Sequence, residues 1–442
     1  MMFKRFFWIV PVLFALAVPM AAQALPVEPA ALAEQLVDQL VKQDFVAASA
    51  NFDDAVKKAL PPDKLAQVWK QIIDQAGPFQ KRLKTTVART GEYDGVTVTC
   101  AFEKTNLDIK VGYNSQKRVS GLFFAPAATS SLEAPNPAQP AAYREEPIEL
   151  PGSGGSLPGT LTLPTGKRPF PAVVLLQGSG PADRDETVGA NKPFRDLAHG
   201  LAAHQIAVLR YDRRTRVFPE QFQKSTSVTV REEVLDDARS ALALLRRRTD
   251  IDSSRLFVLG HSLGGTLLPR LALEEKAVAG WIILAGSTRP LADLLIEQLT
   301  YLSSISESEA EKAQLAGLKQ KAERLKDPAL SPATPASELP PGAPASYWLD
   351  LRGYQPAAVA ATIDKPFLIL QGGRDYQVTT ADFEGWKQAL ARRPNVRLKL
   401  YPRLNHLFIA GEGKSVPSEY LTPGHVSEEV VSDIAGWIAA TR

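Results

Sequence analysis

Cysteine is almost missing: the 442 residues hold one, Cys100. A lone cysteine excludes an intrachain disulfide, even in a compartment that would permit one. It sits in the alternating run VTVTCAF, where it reads as a small buried apolar residue rather than a reactive thiol. Charge of one sign is lacking as well. The net charge is +3, and no basic run is interleaved with aromatics, so nothing marks a nucleic-acid partner. Beyond the N-terminus no apolar run approaches the ~20 residues of a membrane span. Histidine is scarce, with five in the chain, which shortens any search for a catalytic base.

The first residues carry an export pattern. Lys4 and Arg5 precede the apolar stretch from Phe6 to Met20, and Ala22-Gln23-Ala24 matches a small-residue cleavage site. Residues 1–24 are therefore expected to be a signal peptide. A retained anchor is the alternative, but the apolar stretch is short and contains Pro11 and Pro19. With no cysteine at the junction, no lipid anchor is expected, and the mature protein is expected to be soluble, periplasmic or secreted.

A Pro-, Ala- and Ser-rich stretch, residues 126–143, reads as a linker. Before it, residues 25–125 show helical spacing in PAALAEQLVDQLVKQD, FVAASANFDDAVKKAL and LAQVWKQIIDQAG, then four strand-like runs with turns between. Helices followed by a meander predict a small α+β domain. It has no histidine and no catalytic constellation. After the linker, residues 144–442 alternate short apolar runs with helical patterns. FPAVVLLQG, IAVLRYD, RLFVLG, AGWIILAG and PFLILQG have the character of strands buried on both faces. This rhythm predicts a doubly wound, mostly parallel α/β sheet, with its ligand site at the carboxyl ends of the strands. A second proline-rich stretch, Lys326–Tyr347, reads as an irregular excursion within that domain.

The unusual residues gather at those strand ends. GHSLGG, Gly260–Gly265, follows RLFVLG and precedes an apolar helical run, the strand–turn–helix setting that G-x-S-x-G requires. The small neighbours leave room for a sharp turn, and Ser262 becomes the candidate nucleophile. A serine hydroxyl needs a base within hydrogen-bond reach. His199 and His204 lie in a helical pattern, His261 precedes the serine, and His425 opens the terminal helix. His406, in YPRLNHLF just after the last strand, is the expected base. Asp375, in QGGRDYQV, ends another strand and is the expected acid that orients it. Asp364 lies at the wrong end of that strand, and Asp382 reads as a helix cap. The order Ser262, Asp375, His406 is that of an α/β-hydrolase triad.

The developing oxyanion needs N–H donors, worth roughly 3–4 kcal/mol each. Leu263 N–H is one candidate. The loop QGSGPADRDET supplies the other, Ser179 N–H, with Gly178 next. Asp183-Arg184-Asp185 in that loop reads as a salt-bridged brace, with lining of the site as the alternative.

QGSGPADRDET, RYDRR, GHSLGG and GGRDYQV resemble the α/β-hydrolase superfamily, and in particular bacterial exported esterases. NFDDAVKKAL, VTVTCAFEK and VSGLFFAP resemble the N-terminal DUF3887-type domain of those esterases. Gln177 departs from the pattern, since many relatives have histidine there to brace the loop. The resemblance implies a helical cap over the site at about residues 287–365. On that reading LADLLIEQLTYL lines an acyl pocket or packs on the domain edge, and Trp348 and Tyr354 are candidate substrate contacts. The expected activity is a serine carboxylesterase acting on small-molecule acyl esters, with no metal or organic cofactor. The alternatives are a peptidase or amidase using the same triad, and a binding protein that keeps the fold without catalysis.

Overall fold

The computed structural model describes residues 28–90, 93–114, 116–127 and 142–441. The expected leader and most of the expected linker lie outside them. The chain divides into two compact units, Met1–Ala134 and Pro135–Arg442.

The first unit packs helices on an antiparallel sheet of four strands in sequence order: β1 (Phe79–Thr90), β2 (Tyr93–Phe102), β3 (Asn106–Tyr113) and β4 (Val119–Pro126). The helix Pro62–Ala76 shows why. Proline and Asp63 occupy its first turn, where a missing N–H costs nothing and a carboxylate complements the helix dipole. Its residues Leu65, Trp69, Ile72 and Ala76 fall on one stripe and are buried. They meet Val96, Val98 and Cys100, the inward positions of β2. Burial pushes the Cys100 thiol up to about 12, so it packs as a small apolar group. The run FVAASANFDDAVKKAL forms two helices, Phe45–Ala50 and Asp54–Ala59, instead of one. Asp53 caps the second by accepting from Val56 N–H at 2.8 Å. Between the helices, Asp53 N–H and Asn51 C=O bond the backbone of Val119, and Phe52 is fully buried. A tertiary pairing thus wins over helical continuity.

The second unit is built on eight strands: β5 (Tyr143–Leu150), β6 (Leu157–Pro164), β7 (Phe170–Leu176), β8 (Ala207–Tyr211), β9 (Ile251–His261), β10 (Gly280–Leu284), β11 (Phe367–Gly372) and β12 (Val396–Tyr401). Their order across the sheet is β5-β6-β8-β7-β9-β10-β11-β12. From β8 to β12 every pairing is parallel, while β5 and β6 add an antiparallel edge. Successive residues of the central strands enter opposite layers. Val174, Val258, Ile283 and Ile369 face the helices Asp236–Arg246, Leu263–Glu274 and Thr380–Leu390. Val173, Phe257, Ile282 and Leu368 face Pro193–Ala203 and Glu428–Ala440. Each such buried aliphatic side chain contributes about 1.5–3 kcal/mol relative to its exposed state, which is what opposes the entropy of ordering the chain.

Four α-helices lie between β10 and β11: Leu291–Ile305, Glu309–Arg324, Ala345–Leu351 and Pro356–Ala361. The proline-rich stretch among them is ordered around a small core of Leu325, Leu330, Leu339 and Ala345. Arg352 ties it down by donating to the carbonyls of Leu325 and Asp327.

From β7 the chain crosses to β8 on one side, and later returns to β9 on the other. The carboxyl ends of β7 and β9 therefore flank a topological switch point, where open α/β sheets bind ligands.

Candidate active site

Ser262 is the turn residue between β9 and the helix Leu263–Glu274, at whose N-cap it stands. Its backbone is held at φ 53° and ψ −120°, a conformation that costs a non-glycine residue about 1–3 kcal/mol. Its N–H donates to Leu284 C=O of β10 at 2.9 Å, which fixes the turn. The flanking glycines answer to close backbone contacts. A Cβ on Gly260 would lie 2.4 Å from the carbonyl carbon of Gly264. One on Gly264 would lie 2.3 Å from the Leu176 oxygen at the end of β7. The glycines thus bring the helix start against the strand ends. The first N–H groups of that helix, beginning with Leu263, have no intrahelical acceptor and point at the same place.

Asp375 and His406 meet beside this turn. His406 Nδ1 donates to Asp375 Oδ2 at 2.6 Å, and both residues are buried. Asp375 is itself held on every side. Its Oδ1 accepts from Gln377 N–H at 2.7 Å and Val378 N–H at 3.1 Å. Its Oδ2 also accepts from Gln371 Nε2 at 3.2 Å. With Nδ1 protonated toward a carboxylate, His406 keeps its lone pair on Nε2, the state a general base needs. The His406 ring lies against that of His261, with centroids 4.5 Å apart, and His261 is the residue before Ser262.

Across from Ser262 runs the loop after β7. A Cβ on Gly178 would sit 3.1 Å from Ser262 Cβ and 3.2 Å from Glu186 Oε1, so glycine brings the loop into tight contact with the elbow. Gly178 N–H is taken by Glu186 Oε1 at 2.5 Å, which leaves Ser179 as the better oxyanion donor of the two. Arg213, buried after β8 and paired with Glu233 at 3.1 Å, donates to the carbonyls of Gln177 and Gly178. In a trans peptide the C=O and the next N–H point opposite ways. Holding the Gly178 carbonyl therefore aims Ser179 N–H away from Arg213. Gln177 braces the loop in its own manner, donating from Nε2 to Tyr211 C=O.

The neighbouring charged residues are structural. Arg184 grips Asp212 through Nε at 2.9 Å and Nη2 at 3.0 Å, while Asp185 pairs with Arg210 and Lys192 and Asp183 accepts from Thr187. The Asp183-Arg184-Asp185 run is thus a brace. Asp382 is not a cap, because Thr379 holds that position. It lies fully buried in the first turn, accepting from Ser287 Oγ at 3.0 Å, Thr288 N–H at 2.9 Å and the Arg289 guanidinium at 2.7 Å. The local pattern suits a cap, but the partners come from the loop after β10, about ninety residues away.

The structure places Trp348 Nε1 on Ala343 C=O at 3.3 Å and Tyr354 Oη on Thr266 C=O at 2.9 Å, with Arg270 over the Tyr354 ring. Their polar atoms secure the nearby helices. Beside the acid and base lies an apolar wall of Tyr376, Leu407 and Tyr420, against which Tyr301 and Leu302 of the helix Leu291–Ile305 pack. Glu186, Arg213 and Gln371, each tied to a candidate site loop or to Asp375, carry no local sequence signal.

A family model described as "Serine aminopeptidase, S33" matches residues 190–412, and one for a protein of unknown function, DUF3887, matches residues 33–122. The chain is 39% identical to Esterase EstD of Thermotoga maritima over 402 residues, covering 91% of this chain and 93% of that protein. Among solved structures, an esterase of Pyrococcus furiosus aligns with a TM-score of 0.45 and 16% identity, over 68% of this chain and 92% of that one. Est1E from Butyrivibrio proteoclasticus aligns with a TM-score of 0.43 and 13% identity, over 67% and 99%.

Proposed function

Since the chain belongs to the α/β-hydrolase family, as a carboxylesterase-like hydrolase with a DUF3887 domain on its N-terminal side, we propose that it cleaves carboxylic esters through a serine acyl-enzyme and that it does so outside the cytoplasm. The observation that carries the mechanism is the Asp375–His406 pair lying against the turn that presents Ser262. Ser262 Oγ attacks the ester carbonyl carbon and its proton passes to His406 Nε2. Asp375 holds the imidazolium through Nδ1–H. Leu263 and Ser179 N–H groups receive the negative oxygen. As the tetrahedral species collapses, the C–O bond to the alcohol breaks and His406 returns the proton to the leaving oxygen. Water then repeats the sequence on the acyl-enzyme and releases the acid.

Amide or peptide hydrolysis is the second reading, favoured by the aminopeptidase description of the matching family model. The two are separated by kcat/KM on matched p-nitrophenyl esters and p-nitroanilides across a series of acyl lengths. Esters are expected to lead by about 100-fold, equivalent to about 2.7 kcal/mol at the transition state. Faster cleavage of an aminoacyl anilide would reverse the order.

Export rests on the N-terminal charge, apolar run and Ala22–Ala24 junction. N-terminal sequencing of the protein from fractionated cells is expected to begin at Leu25, in the soluble extracytoplasmic fraction. Recovery with Met1 intact in the membrane fraction would favour the anchor.

A further inference from the structure

The candidate oxyanion donor and the candidate base sit on loops more than two hundred residues apart, after β7 and after β12. One buried pair spans them. Glu186, at φ 52° in the loop after β7, accepts Gly178 N–H on Oε1 at 2.5 Å. The same oxygen lies 3.0 Å from His261 Nδ1, an ion-pair contact without the alignment of a hydrogen bond. His261 Nε2 lies 2.9 Å from the His406 carbonyl oxygen, and its ring packs on that of His406. Glu186 and His261 are both about 95% buried.

The proton count follows from the partners. A carbonyl oxygen only accepts, so His261 Nε2 must carry hydrogen. Nδ1 then faces a carboxylate oxygen at 3.0 Å, and a bare lone pair there would repel it in a buried place, so the arrangement favours a proton on Nδ1 and a charge pair with Glu186. Burial works to lower the His261 pKa, but Glu186, the His406 carbonyl and the Asp375 charge together outweigh it, so the net direction is upward. The groups that face His261 are Glu186, the His406 carbonyl and ring, and, through its field, Asp375.

We propose that Glu186 and His261 act as a positioning clamp, holding the loop of Ser179 and the loop of His406 in register about Ser262. The clamp serves the transition state: Glu186 holds the Gly178 N–H and so fixes the peptide next to Ser179, and His261 fixes the backbone from which His406 reaches the serine. It touches no substrate, so it acts on kcat and leaves KM alone. This inference rests on the acyl-transfer reading above.

The test is Glu186→Gln in the full chain. Glutamine can still accept Gly178 N–H, but it removes the charge that holds the proton on His261. Expected are a kcat for p-nitrophenyl acetate lower by about 10–100-fold, a KM within about twofold, and a trifluoromethyl ketone inhibition constant raised by the same factor as kcat falls. Thermal unfolding is expected to stay near that of the wild type. His261→Gln, which keeps a donor for the His406 carbonyl and loses the Nδ1 contact, is expected to show the same split. If Glu186→Gln is misfolded, His261→Gln decides by the same readouts. Unchanged kcat in a folded variant, or a fall in kcat without matching loss of ketone affinity, would overturn the clamp. Fluorophosphonate labelling of the wild type separates this from the parent reading: no labelling refutes the serine mechanism, whereas labelling with an unaffected Glu186→Gln refutes only the clamp.

Discussion

Ser262→Ala is expected to lower kcat on esters by a factor on the order of 10⁴ to 10⁶ and to abolish fluorophosphonate labelling. The size of the loss follows from what remains. Without Oγ no covalent intermediate can form, and the imidazole and the N–H groups are left to act on water alone. Substrate still meets the same walls, so KM is expected to change little. A companion variant reports on the elbow itself. Ser262 is held at φ 53°, and alanine inherits that strain because its Cβ is the same. Glycine does not, since φ > 0 is open to it. Ser262→Gly is therefore expected to be as inactive as Ser262→Ala but to unfold at a higher temperature, the relief of about 1–3 kcal/mol exceeding the roughly 0.5–1 kcal/mol of extra glycine entropy. Equal unfolding temperatures would mean that the turn stores no strain. Residual turnover in Ser262→Ala within tenfold of the wild type would remove Ser262 from the mechanism.

Much of this candidate site is legible in the sequence because its main members sit where the chain changes character. Ser262 and Asp375 each follow a short apolar run with glycines in the turn, and His406 follows the alternating strand VRLKLY. A strand buried on both faces is recognisable in sequence, and so is the point where it stops. The alternation that predicts the doubly wound sheet is the alternation that fills its two layers, Val173 on one side and Val174 on the other.

What escaped has no local pattern to leave. Glu186 directly follows the Asp183-Arg184-Asp185 run, which reads as a salt-bridged brace, and its role appears only when Gly178 and His261 come to it. Arg213 is one arginine among several in RYDRR, and what distinguishes it is a pair of carbonyls some 35 residues back in the chain. Asp382 is the instructive error. An acidic residue in a first helical turn fits the dipole and a cap alike, yet its burial is set by Ser287–Arg289. The Tyr354 hydroxyl likewise finds its partner far off in the chain, at Thr266 C=O. Local chemistry shows which residues can act, and long-range packing decides which of them are occupied in support.

That support makes the outcome of Asp375→Asn specific. The asparagine amide must put its NH₂ where one carboxylate oxygen was. At the Oδ1 position it would face Gln377 N–H and Val378 N–H, two backbone donors that cannot turn away. At the Oδ2 position it would face His406 Nδ1–H and Gln371 Nε2. Gln371 also donates to Gly372 C=O at 3.1 Å and Val378 C=O at 2.8 Å, so it does not flip cheaply. His406 is the partner that yields, because a neutral imidazole can move its proton from Nδ1 to Nε2. The NH₂ therefore settles against Nδ1, and Nε2 becomes a donor that can no longer take the serine proton. Asp375→Asn is expected to lose about 10³–10⁴ in kcat at neutral pH, the scale of the same substitution in a serine protease triad, with KM and unfolding temperature close to the wild type. Asp375→Ala differs in a measurable way. It strands the buried Val378 N–H, at about 1–3 kcal/mol, and the half-buried Gln377 N–H, and is expected to unfold at a distinctly lower temperature. A folded Asp375→Asn that keeps wild-type kcat would show that His406 takes its tautomer from some other partner.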